Sequence, residues 1–389
     1  MQRKRLVVIT DTLAAFGGGE RYVLELTSRI RDTYDITLVD HVSNKSIVRM
    51  PKHRLERQYK LKGVRIIDLK CTSRRFRVFG TEEFQFMYPT IAAIAKLKEA
   101  IKDADIVYDI SFNPMVMFYA IIFSKLYKKR FVLGVHNPVF YKIFSKDVGP
   151  SQRILSRLYR SVMLGQVRFF HVLNPDDMRI VKKNFPKAKV YHIPLFLTTG
   201  AEPKMSDKKY FSALYVGRLE QYQKGIDTLL DVIKRVHSKD KGIAFDIVGS
   251  RGSGEELVRQ ASQTMKNVRW HGFVDDNKRN KQYMKASVLV FPSRFETFPA
   301  VVLEAQSYGL PVIAFDIKGI RDIIKKDYQG KILSEEDTAG FADAVMSYKN
   351  AMDKNKASYL DMMKKIFANI KSGEYSDSAV VAKIKRMFG

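Results

Sequence analysis

FSALYVGRLEQYQKGIDTLLDVIKRVHS, residues 211–238, holds one complete unit of the architecture. The short apolar run FSALYVG has the length and composition of a buried strand. It gives way to a charged loop, RLEQYQKG, in which Gly225 permits the turn into the long amphipathic run GIDTLLDVIKRVHS. The same rhythm then repeats through IAFDIVG and EELVRQASQTM, VRWHG and NKRNKQYMKA, SVLVFPS and PAVVLEAQSYG, LPVIAFD and GIRDIIKK. Strands alternating with helices in this way form a parallel sheet covered on both faces, so the second half reads as a doubly wound α/β domain.

The first half keeps the same alternation: RLVVIT and ERYVLELTSRI, then YDITLVD, DIVYDI and PMVMFYAIIFSKLY, RFVLGVH, VRFFHVL and PDDMRIVKKNF. Between the halves TTGAEPKMSDKK (198–209) is small, polar and charged, which marks a linker. The expected organisation is an N-terminal Rossmann-like domain over 1–197 and a second one beginning at 210. A chain of 389 residues with 46% apolar content can fill two such cores. Two doubly wound domains facing across a cleft would bring the C-terminal ends of both sheets to one ligand.

Composition narrows the classes further. The single cysteine, Cys71, excludes an intramolecular disulfide, and a cytoplasmic setting is the default expectation. In MQRKRLVVIT only five residues separate the basic cluster from Asp11, which fits a first strand and not a signal peptide. MVMFYAIIF (115–123) is too short to cross a bilayer, and with Asn113 as N-cap and Pro114 in the first turn it reads as a buried helix.

The net charge is +27, and residues 1–200 carry 36 basic against 17 acidic side chains where 201–389 carry 32 against 24. That field attracts polyanions or anionic membrane surfaces and says little about fold. Two stretches concentrate it. One is 45–77, with twelve Lys and Arg against Glu56 and Asp68; the other is RILSRLYRSVMLGQVR (153–168), where Arg153, Arg157 and Arg160 stand at helical spacing beside Ile154, Leu158 and Val162. The second is a basic amphipathic helix, suited to a membrane surface or to an ordinary core beneath a solvated face.

No P-loop, H-E-x-x-H, paired C-x-x-C or G-x-S-x-G occurs, and neither GGGE (17–20) nor GSRGSG (249–254) fits the G-x-G-x-x-G dinucleotide fingerprint. What remains is loops that leave strands toward helices. Gly17, Gly18 and Gly19 would let backbone approach an anion at a helix start, or simply make a tight turn. Arg218 and Lys224 flank the loop after FSALYVG, and two cations at a strand's C-terminal edge suit a diphosphate.

FETFPAVVLEA (295–305) follows the strand SVLVFPS and keeps two carboxylates in an apolar run, Glu296 and Glu304. Pro299 predicts a helix beginning near Thr297 or Phe298, with the amides of about 297–301 available to a phosphate. Glu296 then stays in the entry loop while Glu304 lies along the helix. Carboxylates accept from vicinal hydroxyls, so one could hold a sugar and the other a ribose.

Taken with Gly217-Arg218-Leu219, Lys224-Gly225, Val248-Gly249, His271-Gly272, Pro292-Ser293 and GLPVIAFD, this E-x7-E run resembles the retaining glycosyltransferases of family 4, which have the GT-B fold. The likeness is specific over about 210–320 and looser over the first half, in GGGE and VHN. It implies a nucleoside diphosphate sugar bound by a second domain over 210–370, an acceptor bound by the first, and a C-terminal helix within 371–389 packing back on the first domain.

Carried onto this chain, the resemblance gives Arg218 and Lys224 the diphosphate, Glu296 the donor-sugar hydroxyls and Glu304 the ribose. Thr297, Phe298, Pro299, Ala300 and Val301 would complete the phosphate site, and Gly249 and Phe273 would flank the base. Gly17 and Gly18 would approach the donor phosphate, and His136, in LGVHNP at a strand end, would lie near the reacting carbon. A lone histidine is otherwise more often structural. The chain departs from the family at Pro299, where many relatives carry glycine, and at IPLFLT (193–198), where they carry a Pro-Asn-Gly turn.

The implied chemistry is glycosyl transfer to a hydroxyl of a glycan or lipid-linked acceptor with retention, no covalent nucleophile, no metal and no cofactor beyond the donor. Asp275-Asp276 reads as a helix cap in preference to a metal site. The basic first half points to an enzyme attached peripherally to an anionic inner membrane face, and no nucleic acid is expected. Competing readings are a nucleotide-sugar epimerase or phosphorylase of the same architecture, and a polyanion-binding protein on an inactive transferase scaffold.

Overall fold

The computed structural model describes residues 3–10, 13, 18–43, 52–76, 84–111, 113–136, 150–196, 200–296 and 298–389. It divides into two compact units, Met1–Phe196 with Val380–Gly389, and Leu197–Ala379. The segment read as a linker, where described, therefore goes with the second unit.

In the first unit eight strands form one sheet: β1 (Lys4–Thr10), β2 (Tyr34–Ser43), β3 (Arg65–Phe76), β4 (Phe84–Pro89), β5 (Ile106–Asp109), β6 (Arg130–Val135), β7 (Phe169–Val172) and β8 (Lys189–His192). Their order is β4-β3-β2-β1-β5-β6-β7-β8, parallel except for the antiparallel edge strand β4. The central strands are apolar on both faces because helices cover both; Leu6, Val8, Val7 and Ile9 of β1 are all buried, the first pair in one core cluster and the second in another. Asn113 caps the helix Pro114–Leu126 by accepting from the Met115 and Val116 amides at 3.1 and 3.2 Å.

The chain returns to this unit through the helix Asp377–Phe388, later than the expected start at 371. Val380, Ile384, Met387 and Phe388 are buried in the β1 cluster, and the Phe388 ring meets Tyr34 and Tyr108 edge-on at 5.7 and 5.4 Å. Each such side chain contributes about 2 kcal/mol by leaving water.

The second unit is a six-stranded, all-parallel sheet of β9 (Ser212–Val216), β10 (Ala244–Val248), β11 (Val268–Gly272), β12 (Val288–Phe291), β13 (Val312–Phe315) and β14 (Gly330–Leu333), ordered β11-β10-β9-β12-β13-β14. The order reverses direction between β9 and β12, and the loops leaving such a switch point are where doubly wound sheets bind ligands.

The basic stretch 45–77 is in large part sheet: its described residues form the helix Lys52–Gln58 and β3, while 45–51 and Arg77 lie outside the described residues. Its Lys62 joins Arg3, Arg5 and Arg31 around a cavity of about 530 Å³ that also takes in Asp32 and Asp35. That cavity sits where β1, β2 and β3 begin, at the opposite edge from the strand ends that carry the candidate chemistry.

Candidate active site

The loops that follow β9 and β12 pack directly on one another. Gly225 holds the left-handed conformation, φ +65°, and a Cβ on it would lie 2.0 Å from the Pro292 carbonyl oxygen. Close approach at this point lets the two loops exchange polar contacts. Lys224 Nζ donates to Glu296 Oε1 in an ion pair whose side chains are only 16% and 11% exposed. One of the two carboxylates that FETFPAVVLEA keeps in its apolar run thus has its partner 72 positions upstream.

Arg294, which the sequence reading did not single out, binds the two loops together. Its guanidinium grips Asp227 through both nitrogens at 2.8 and 2.9 Å and donates to Thr228 Oγ1 and the Tyr222 carbonyl, each at 3.0 Å. Its backbone amide donates to the Gln223 carbonyl at 3.0 Å. Burial would raise the Asp227 carboxyl, but the hydrogen bonds and charge of Arg294 hold it below its ordinary value. Arg218 donates to Gln223 Oε1 at 3.3 Å, and its carbonyl accepts from the Tyr215 hydroxyl at 2.8 Å.

Glu304 turns a different way. It accepts from the Tyr283 hydroxyl at 3.0 Å and lies 3.7 Å from Arg279 Nε, both on the helix Asp276–Lys285. Asp275 caps that helix by accepting from the Lys278 amide at 2.8 Å. Gly249, at the end of β10, comes so near β9 that a Cβ would sit 1.8 Å from the Gly217 carbonyl oxygen; its own carbonyl accepts from Trp270 Nε1 at 2.9 Å. Phe273 is 62% exposed beyond β11. His271 Nε2 lies 2.7 Å from Asp246, whose carboxylate Arg269 also grips.

The helix expected near 297 begins later and is shorter. It runs from Ala300 to Gln306 with Pro299 as N-cap, ψ 67°, and Thr297 lies outside the described residues. Pro299 has no amide to offer, and the Ala300 amide donates to the Phe298 carbonyl at 2.9 Å. The amides that could meet a phosphate here are thus reduced, among the described residues, to those of Phe298 and Val301.

In the first unit Gly17 lies outside the described residues, and Gly18 opens the helix Gly18–Ile30. His136 directly follows β6 and belongs to a cluster that the sequence reading missed. Tyr108 of β5 contacts His171 of β7 at 2.5 Å, His136 Nε2 lies 3.2 Å from His171 Nδ1, and the Tyr22 ring sits 4.9 Å from that of His136. Burial lowers both imidazoles, His136 well below 6.5 and His171 to about 4, so the cluster is neutral at pH 7. The available signal was a polar residue within each apolar run, Tyr108, beside Asp109, in DIVYDI and His171 in VRFFHVL.

Two family profiles match the chain in tandem: "Glycosyltransferase Family 4" over residues 16–199 and "Glycosyl transferases group 1" over 211–349. The amylovoran biosynthesis glycosyltransferase AmsD of Erwinia amylovora is 27% identical over 331 residues, 83% of this chain and 84% of that protein. A phosphatidyl-myo-inositol mannosyltransferase of Mycobacterium leprae is 31% identical over 137 residues, 35% of this chain and 36% of that one. The chain thus spans about a third of the length of some curated relatives, this one included. Among solved structures, HepE of Anabaena in complex with UDP and glucose superposes with a TM-score of 0.71 over 99% of each chain at 14% identity, a likeness of fold. Among the described residues no helix is long and apolar enough to cross a membrane.

Proposed function

We propose, for a chain that belongs to the GT-B glycosyltransferases, that it moves a sugar from a nucleoside diphosphate to a hydroxyl of a glycan or lipid-linked acceptor, with retention and without a metal. The observation that carries this reading is the Lys224–Glu296 ion pair at the β9/β12 switch point, beside Arg218. Without donor the two charges neutralise each other. A diphosphate draws Lys224 and Arg218 to its oxygens, and the released Glu296 accepts from sugar hydroxyls. As the glycosidic bond breaks, negative charge grows on the leaving diphosphate, and the two cations with the Phe298 and Val301 amides stabilise it. Glu304 takes the ribose, Gly249 and Phe273 bound the base, and His136 serves substrate hydroxyls from the first unit.

The acceptor is approached at an anionic membrane face. The helix Pro150–Val162 turns Ile154, Leu158 and Val162 outward, 71%, 57% and 51% exposed, with Arg153 and Arg157 exposed beside them. An apolar stripe edged with arginine lies flat in a charged interface.

Trp270 is the only tryptophan, and its indole is bonded to Gly249 in the loop assigned to the base. Titration with UDP, GDP and ADP sugars should change its fluorescence for one base, and product anomeric configuration by NMR should match the donor's. Absence of any response across the panel, or transfer that stops with EDTA, would overturn the donor or the metal-free reading respectively.

A further inference from the structure

The carbonyl oxygen of Ile193 lies 2.8 Å from His171 Nε2, and since a carbonyl only accepts, that nitrogen carries a proton. The ring is neutral, so its Nδ1 is a bare acceptor, and the Tyr108 hydroxyl donates to it across 2.5 Å. His136 Nε2 stands 3.2 Å from the same Nδ1 and 3.4 Å from the Tyr108 oxygen. A bare Nε2 there would set lone pair against lone pair, whereas a protonated one can donate to the Tyr108 oxygen, the single lone pair of His171 Nδ1 being engaged by the Tyr108 hydroxyl. Gly134 makes the room: a Cβ on it would lie 2.4 Å from Ile110 Cγ2, 3.1 Å from the Tyr108 hydroxyl and 3.2 Å from His136 Nε2.

We infer that Tyr108 and His171 are positioning residues that hold His136 as the neutral tautomer protonated on Nε2, so that its Nδ1 is kept as an acceptor for a substrate hydroxyl. His136 Nδ1 is buried, and no donor among the described residues reaches it, which leaves an acceptor that a sugar or polyol hydroxyl would satisfy. An imidazole so reluctant to take a proton orients a hydroxyl and does not deprotonate it. The other titratable groups acting on the cluster are Tyr22 of the helix Gly18–Ile30, Asp109 of β5 and His192 of β8. The assignment of a substrate to His136 rests on the glycosyl-transfer reading; the tautomer does not.

The test is long-range proton–nitrogen NMR on the intact chain labelled with 15N-histidine, with the His136 signals identified by their loss in His136→Gln. The expected result is one tautomer, protonated on Nε2 and bare on Nδ1, unchanged from pH 6 to 8. His171→Phe should release it, because the Tyr108 hydroxyl is then free to donate to Nε2, whereas Tyr108→Phe leaves the bare His171 Nδ1 in place and should keep the tautomer. A proton on Nδ1 in the unaltered protein, or the same single tautomer in His171→Phe, overturns the inference. In transfer assays His171→Phe should lower kcat roughly tenfold, the worth of one neutral hydrogen bond, at constant donor KM. An acid limb in wild-type kcat that moves with His136 substitution would make His136 a base and overturn its role as acceptor. If no nucleotide sugar is turned over, the transfer reading fails while the NMR result still decides the tautomer.

Discussion

The two units handle polar groups at their strand ends in opposite ways. After β9 and β12 the second unit keeps full charges, paired across two loops: Lys224 with Glu296 and Arg294 with Asp227. Within β5 and β7 and just after β6 the first unit keeps Tyr108, His171 and His136 neutral and bonded to one another. Paired charges can be re-partnered by an arriving anion, which brings its own countercharge. A neutral network offers no such exchange and recognises only donors and acceptors. On the proposed reading, charge stabilisation would fall to the second unit and hydroxyl recognition to the first.

The sharpest break in that contrast comes from removing one partner of the Lys224–Glu296 pair. Lys224→Ala or Glu296→Gln should lower kcat/KM by roughly two to three orders of magnitude, about 3–4 kcal/mol in the barrier, while circular dichroism stays unchanged. Lys224→Ala also strands a mostly buried carboxylate, so it should melt below Lys224→Met/Glu296→Gln, in which neither charge remains. Steady-state kinetics beside thermal melts separate the two effects. Full activity in either purified single variant would remove the second unit's claim to the chemistry.

Next in size is the backbone that sets the two loops against each other. Gly225→Ala meets both a left-handed φ of +65° and the Pro292 carbonyl at 2.0 Å, and the obstacle is backbone, which cannot swing aside. A loss of about 3 kcal/mol in urea unfolding is expected. Gly63→Ala has a similar φ of +87° and nothing within 4 Å, so it should cost only the conformational part, about 1 kcal/mol. Equal losses would mean that loop contact contributes nothing.

How much of this could be read in advance follows from which partners are near in sequence. The alternation of strands and helices, the Asn113 and Asp275 caps and the strand-end positions of Lys224, Glu296 and His136 all depend on residues within a few positions of each other. Arg294 was visible in PSRFE, but Asp227 lies 67 positions away, and only the packing of β9 on β12 brings the two together. The helix starts later than the sequence predicts because Pro299, expected in the first turn, has a ψ of 67° that leaves it outside the helix as N-cap. Tyr108 and His171 escaped because a polar residue in an apolar run is explained only by the neighbouring strands, and β5, β6 and β7 find one another through long crossovers.

Acid should distinguish the units by a smaller margin. His171, buried neutral with a pKa near 4 against an ordinary 6.5, adds stability that is complete above about pH 6.5 and lost as pH falls toward 4. His136 adds in the same direction. Asp227 and Asp246 are also held below their ordinary 3.8, so their contribution persists until the pH drops below about 4. Between pH 8 and 5 the first unit should lose about 2 kcal/mol through His171, more than the second, where burial lowers the less buried His237 in the same direction and Lys208 to about 8. Urea titrations at both pH values, resolved by hydrogen exchange into peptides from each unit, would show it. Equal loss in both units would argue that the histidine cluster is not buried in solution.

The smallest effect on folding should accompany a decisive effect on location. Ile154 and Leu158 are already 71% and 57% exposed, so Ile154→Glu/Leu158→Glu removes little buried area and should change stability by no more than about 0.5 kcal/mol. If the helix Pro150–Val162 lies on an anionic surface, the same change takes out its apolar stripe and sets two carboxylates among Arg153 and Arg157. Flotation with phosphatidylglycerol vesicles should then fail for the variant and succeed for the wild type at low salt. The arginines alone would give binding that disappears with salt, because screening acts on the charges and leaves the apolar contact intact. Binding that survives the double substitution but not salt would reduce the face to a generic cationic surface, and the first unit's basic excess would then need no stripe to explain it.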